Sequence, residues 1–170
     1  MQASIEGGRA APRVKLQRSV EAGVWEKPTC VNNTETFSFV PHILARGGEW
    51  FAAIGHGMSG TKMYSITGHS ENVGLIEVPF GIPVRQFAEE LGGPIRSGRP
   101  IKTVIFGGPT GGPIPPQLFD TPADPKDCND IGVLAYGAGG VIILDDSACL
   151  VDVMKYLSLI HISEPTRQAE

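Results

Sequence analysis

The chain has 170 residues, enough for one ordinary domain or one domain with part of another, and 41% of them are hydrophobic at a mean hydropathy of 0.00. That composition describes a globular chain able to bury a real core. Fourteen Lys and Arg against 18 Asp and Glu leave a net charge of −4 with no block of like charge, which excludes an electrostatic grip on nucleic acid. No stretch approaches the ~18 consecutive apolar residues of a membrane span, which argues against direct membrane insertion. The opening MQASIEGGRAAPR lacks the apolar segment of a secretory leader, so the expected location is cytoplasmic.

Residues 1–30 carry Gly7, Gly8, Pro12, Gly23 and Pro28 without sustained periodicity, and they read as loop. TETFSFVPHILARGG (34–48) predicts a helix interrupted at Pro41 and stopped by Gly47 and Gly48. EWFAAIG (49–55) reads as a short apolar turn or helix. TKMYSITG (61–68) and GLIEVPFG (74–81) are strand-like runs joined by the polar turn 69–73, a hairpin.

The clearest helical signal follows. Pro83 stands at a first-turn position, Val84, Phe87, Ala88 and Leu91 recur at helical spacing, and Gly92 and Gly93 close the segment. IKTVIFGG (101–108) predicts a third strand and GVIILDD (140–146) a fourth. SACLVDVMKY then opens a helix with Ser147 as candidate N-cap. Strand, strand, helix, strand and late strand is the order of a β-grasp, an α+β fold with a small mixed sheet on one helix. Residues 157–170, LSLIHISEPTRQAE, resemble the conceptual translation of a sequencing-library adapter; with Pro165 inside, they are not expected to continue the helix.

Several residue groups invite a chemical reading and lose it on inspection. Cys30, Cys128 and Cys149 are widely spaced, unlike the paired ligands of zinc or iron–sulfur sites. GGPTGGP (107–113) lacks the Gly-Lys-Ser/Thr end of a phosphate loop and reads as a rigid structural loop. His42, His56 and His69 have no carboxylate or cysteine at metal spacing and read as surface or packing histidines. Asp124, Asp127 and Asp130 read as a solvated loop, and Phe37, Phe39, Trp50 and Phe51 as core and interdomain packing.

Four phrases taken together carry a family resemblance: EKPTCVNNTETFSFVPHIL (26–44), GTKMYSITGH (60–69), GLIEVPFG (74–81) and GAGGVIILDDSACLVDVMKY (137–156). In colinear order across residues 4–156 the chain resembles the flavin-bearing, NADH-oxidising subunit of respiratory complex I. It also resembles the homologous diaphorase subunits of NAD-linked hydrogenases and formate dehydrogenases. The resemblance implies the end of an α/β FMN-binding domain at 1–48 and a soluble-ligand-binding type of β-grasp domain at 49–146. The start of an iron–sulfur helical bundle at 147–156 would follow.

In such a parent, hydride passes from NADH to FMN and electrons leave through a [4Fe–4S] cluster. The cluster ligands and the glycine-rich flavin loop are not among these residues. Partners would be other subunits of an electron-transfer complex, a small [2Fe–2S] subunit among them. Val31, Asn32 and Asn33 match the family's flavin-contacting segment, where carboxamides can both donate to and accept from the flavin; as plain sequence, Asn32 and Asn33 equally suit a helix cap. Lys15 falls where the family has a lysine near the dinucleotide, although Arg18 replaces the phenylalanine usual there. The chain would be an inactive part of an NADH dehydrogenase flavoprotein; the other reading is a stand-alone β-grasp binding module without redox chemistry.

Overall fold

A computed structural model describes residues 18–108, 111–133 and 137–163. Lys15 lies outside the described residues. The chain divides into two units, Met1–Pro41 and His42–Glu170.

The first unit holds a knotted turn. Glu21 and Ala22 N–H both donate to the Arg18 carbonyl at 2.9 Å, and Thr29 N–H donates to the Ser19 carbonyl at 2.8 Å. Thr29 Oγ1 accepts from Val24 N–H and donates to the Lys27 carbonyl, both at 2.9 Å. A short 3-10 turn, Val24–Glu26, sits inside this knot. The helix α1 (Thr34–Arg46) then begins in the first unit. Pro41 does not interrupt it, contrary to the sequence expectation. A proline removes one backbone donor and strains one turn, and here the helix carries on through that loss.

In the second unit α1 ends, and the Gly47 N–H closes its last turn on the Ile43 carbonyl at 2.8 Å. The helix α2 (Gly48–Ala52) follows, with the Arg46 guanidinium 4.6 Å from the Trp50 ring centre. Phe37, expected in a core, is half exposed at 49%.

Five strands form one open mixed sheet: β1 (Thr61–Gly68), β2 (Gly74–Pro79), β3 (Ile101–Phe106), β4 (Gly112–Ile114) and β5 (Gly140–Asp145), in spatial order β2-β1-β5-β3-β4. The β1–β2 hairpin is antiparallel, as its polar turn predicted, with Tyr64 opposite Ile76. β5 runs parallel to β1 and antiparallel to β3, and it therefore sits at the centre. The strands read accordingly. β1 alternates, with Tyr64 and Ile66 buried and Met63 and Thr67 exposed. The inner pair, β3 and β5, carries the apolar runs TVIF and IILD, buried almost throughout, as interior strands must be.

β4 was not expected. GGPTGGP read as loop, yet Gly112–Ile114 pairs with β3, Val104 opposite Ile114 and Phe106 opposite Gly112. Three residues give no period to detect, and Pro113 is tolerated because β4 is an edge strand. The acidic segment is likewise a helix rather than a solvated loop: α3 (Pro125–Asp130) is capped by Asp124, whose carboxylate accepts from Asp127 N–H at 2.8 Å. Cys128 in α3 is buried, and that burial pushes its thiol up to about 11.

The segment packed on the sheet is wider than the expected α-helix. Gln86–Leu91 is π-helical, and Gly92 N–H bonds five residues back to the Phe87 carbonyl at 3.0 Å. Its buried residues Phe87 and Ala88 face a core completed by Val104, Phe106, Ile114, Phe119, Val141 and Ile143. Phe87 makes edge contacts with Tyr64 at 4.7 Å and Phe106 at 5.1 Å between ring centres.

The last helix, α4 (Leu150–Ser163), begins three residues beyond Ser147 and continues past Tyr156, where the sequence predicted a stop. The apolar residues of 157–162 are compatible with a helix whatever their origin, and Pro165 lies beyond its end. Among the described residues no helix is long and apolar enough to cross a membrane.

Candidate functional site

The predicted flavin-contacting residues lie together at the start of α1. Val31 is 70% exposed, and Asn32 and Asn33 are exposed beside it. Asn33 caps the helix: its Oδ1 accepts from Thr36 N–H at 2.7 Å, and its carbonyl accepts from Phe37 N–H at 3.2 Å. Asn32 Oδ1 accepts from Asn33 N–H at 2.8 Å. The capping reading is therefore realised at Asn33 and not at Asn32, which bonds only the next amide. Both oxygens are occupied locally, leaving the carboxamide NH2 groups, on exposed side chains, as donors for an acceptor-rich ligand.

Asn33→Ala should cost the first turn of α1 about 1 kcal/mol, seen as faster hydrogen exchange at Thr36 and Phe37. Asn33→Asp, which keeps the acceptor, should leave exchange near the parent rate. Equal exchange in the alanine variant would show that the side chain does not hold the cap.

Close by in the chain, Trp25 is 88% exposed and held at φ 55°. That left-handed conformation is rare for an aromatic residue, and strain of this sort gathers at functional surfaces. Trp25 drew no notice from sequence because the backbone angle of a single residue leaves no trace in composition.

A second polar site lies in the second unit, at the carboxyl ends of β1 and β5. The hairpin turn 69–73 is stitched to the segment after the π-helix: Glu71 N–H donates to the Pro94 carbonyl at 2.9 Å, Asn72 N–H to Gly92 at 3.0 Å, and Arg96 N–H to His69 at 3.1 Å. These bonds bring Arg96 and Ser97 beside His69. Gly68 makes the corner possible, at φ 108°, where a Cβ would come within 2.1 Å of the Ile143 carbonyl oxygen.

Asp145, buried at 2% exposure at the end of β5, ties this corner together. Its Oδ2 accepts from the Ser97 hydroxyl at 2.6 Å. Its Oδ1 accepts from the Ser147 hydroxyl and from Ser147 N–H at 3.0 Å. His69 Nδ1 accepts from Asp145 N–H at 3.3 Å and lies 2.9 Å from Oδ1. The Ser147 hydroxyl first, then Ser97 and His69, hold the Asp145 carboxyl far below the usual carboxylate range.

Ser147 thus serves Asp145 rather than capping α4. His69, read from sequence as a surface or packing residue, is half exposed, with Nδ1 2.9 Å from the Asp145 carboxylate. Nothing linear links it to a carboxylate 76 positions away. Among the described residues no group of three His, Cys, Asp or Glu side chains is placed to hold a metal ion.

The chain is homologous to oxidoreductase subunits. It is 40% identical over 157 residues to the NADP-reducing hydrogenase subunit HndC of Solidesulfovibrio fructosivorans, covering 90% of this chain and 31% of that protein. It is 41% identical over 150 residues to the F 2 subunit of the NADH-quinone oxidoreductase of Rhizobium meliloti (strain 1021), covering 87% of this chain and 35% of the relative. Among solved structures it superposes on an NAD+-reducing [NiFe]-hydrogenase chain with TM-score 0.65 at 28% identity, over 89% of this chain and 25% of that one. No family model matches. The chain spans about a third of the length of these curated relatives.

Proposed function

We propose that this chain is a segment of an NADH-oxidising flavoprotein subunit of an electron-transfer complex. The observation that carries this reading is the 40% identity to HndC across 90% of the chain. In the division we infer, residues 1–48 end an FMN-binding domain, 49–146 form a β-grasp domain, 147–156 open an iron–sulfur bundle and 157–170 are adapter-derived. The β-grasp reading is supported by the order β2-β1-β5-β3-β4, with β1 and β5 parallel at the centre and a helical segment between hairpin and third strand.

FMN bound in the parent subunit would supply hydride acceptance from NADH and one-electron release towards a [4Fe–4S] cluster held by other residues. The part of this chain is to bind and orient. Asn32 and Asn33 fit that task, since their oxygens are engaged locally and their NH2 groups remain as donors to flavin carbonyl or ribityl oxygens. Val31 offers an exposed apolar contact beside them. Lys15 would neutralise dinucleotide phosphate. The assembly is cytoplasmic in this reading and includes a small [2Fe–2S] subunit as partner; the chain by itself does not oxidise NADH.

The test uses the full-length subunit encoded around this segment. Asn32→Ala should weaken FMN retention by about tenfold, the loss of one hydrogen bond to a polar ligand, measured by flavin fluorescence on dilution. Wild-type retention in that variant, or a gene with no flavin loop upstream and no cysteine run downstream, would overturn the proposal.

A further inference from the structure

We propose that the cleft at the carboxyl ends of β1 and β5 binds a small oxyanion, a phosphate or carboxylate group, between the Arg96 guanidinium and the His69 imidazole. The site belongs wholly to the second unit and does not rest on the flavoprotein reading.

The cleft has a volume of about 280 Å3 and is lined by Gly68, His69, Arg96, Ser97, Asp145 and Ser147. Its charge pattern selects the ligand. The one carboxylate in the lining, Asp145, is buried, and both its oxygens are taken by Ser97, Ser147 and His69. It therefore has little left to offer a cation. The two lining groups that retain donors are the Arg96 guanidinium and the His69 imidazole.

Arg96 is exposed, and among the described residues its guanidinium makes no hydrogen bond or ion pair. Its neighbour in sequence, Arg99, is by contrast engaged with Asp146 at 3.4 Å. The His69 ring is fixed by Nδ1 on Asp145, which puts Nε2 on the opposite edge of a half-exposed side chain. With Nδ1 engaged at Asp145, Nε2–H is the ring edge left to donate to an anion. A guanidinium and an imidazole N–H lining one cleft match the oxygens of phosphate or carboxylate. The charged groups that line the cleft with His69 are Asp145 from β5 and Arg96 from the segment after the π-helix; Glu71 in the hairpin turn is two positions from His69 in the chain, and Arg99 pairs with Asp146 just beyond β5.

The experiment titrates the full chain with inorganic phosphate, and separately with acetate, at constant ionic strength set by chloride. NMR follows the His69 ring and the Arg96 Nε–H. The expected result is a saturable shift at both residues with a Kd on the order of 1 mM. The rings of His42 and His56, which do not line the cleft, should show no saturable shift. Arg96→Gln and His69→Gln should each weaken binding by about tenfold while leaving the amide spectrum of the sheet dispersed. A response to either anion supports the site, and the stronger of the two names its ligand. No response at His69 and Arg96 beyond that of chloride, or a response that Arg96→Gln leaves intact, overturns it.

Discussion

Asp145→Ala should lower the thermal unfolding midpoint by on the order of 10 °C. The carboxylate is buried, receives the Ser97 hydroxyl and the Ser147 hydroxyl and N–H, and has His69 Nδ1 2.9 Å away. Removing it leaves these donors facing a void with no replacement acceptor, and an unmade bond costs more than a made one contributes. The knot also joins three segments distant in sequence, so its loss frees the 92–99 segment from β5. Asp145→Asn is the gentler probe, because an amide keeps one acceptor oxygen while its NH2 opposes donors already present.

The pH dependence has a definite sign. The Asp145 carboxyl titrates lower in the folded chain than in the unfolded one, chiefly through the Ser147 hydroxyl. Its stabilising contribution is complete above the unfolded value of about 4 and is lost as pH falls towards the folded one. Thermal melts between pH 7 and pH 3 should therefore show an acid-side decline that flattens in Asp145→Asn. A variant with the parent's midpoint and the parent's acid slope would remove Asp145 from this role.

Phe87→Ala should cost about 3–5 kcal/mol, the largest expected effect of any single truncation in the core. Phe87 is fully buried, and its ring lies edge-on to both Tyr64 and Phe106. The alanine variant loses the transfer energy of the ring together with two aromatic contacts. The surroundings cannot readily close the gap, because Tyr64 and Phe106 stand on two different strands of one hydrogen-bonded sheet. Leu75→Ala on the exposed edge strand is the matched control; at 71% exposure its change should stay within about 0.5 kcal/mol. Urea unfolding followed by circular dichroism measures both. A Phe87 cost no larger than that of Leu75 would mean that the aromatic cluster does not hold the sheet to its helix.

How much of this was legible in the sequence differs from element to element. β1, β2, β3 and β5 were legible because each is long enough to show alternation or an unbroken apolar run, and glycines bound them. The hairpin followed from a short polar turn. β4 was hidden, since three residues including Pro113 carry no period, and pairing with β3 alone makes them a strand. α3 was hidden by its acidic composition; Asp124 as cap and Cys128 as buried anchor decide it only once the core is there to receive the thiol. The spacing of Val84, Phe87, Ala88 and Leu91 announced a helix, but packing against the sheet set its wider π winding.

The sites divide along the same line. By itself the sequence determined the helix-start asparagines, because a cap is a local matter of one side chain and the next three amides. It also determined kinship with oxidoreductase subunits, because colinear motifs survive without any knowledge of contacts. Only the tertiary structure decided that His69 and Asp145 meet, that Ser97 and Ser147 complete the knot and that Arg96 flanks the cleft. The parallel pairing of β1 with β5 brings together residues 76 positions apart, and hydrogen bonds made across that distance leave no periodic trace in the chain that makes them.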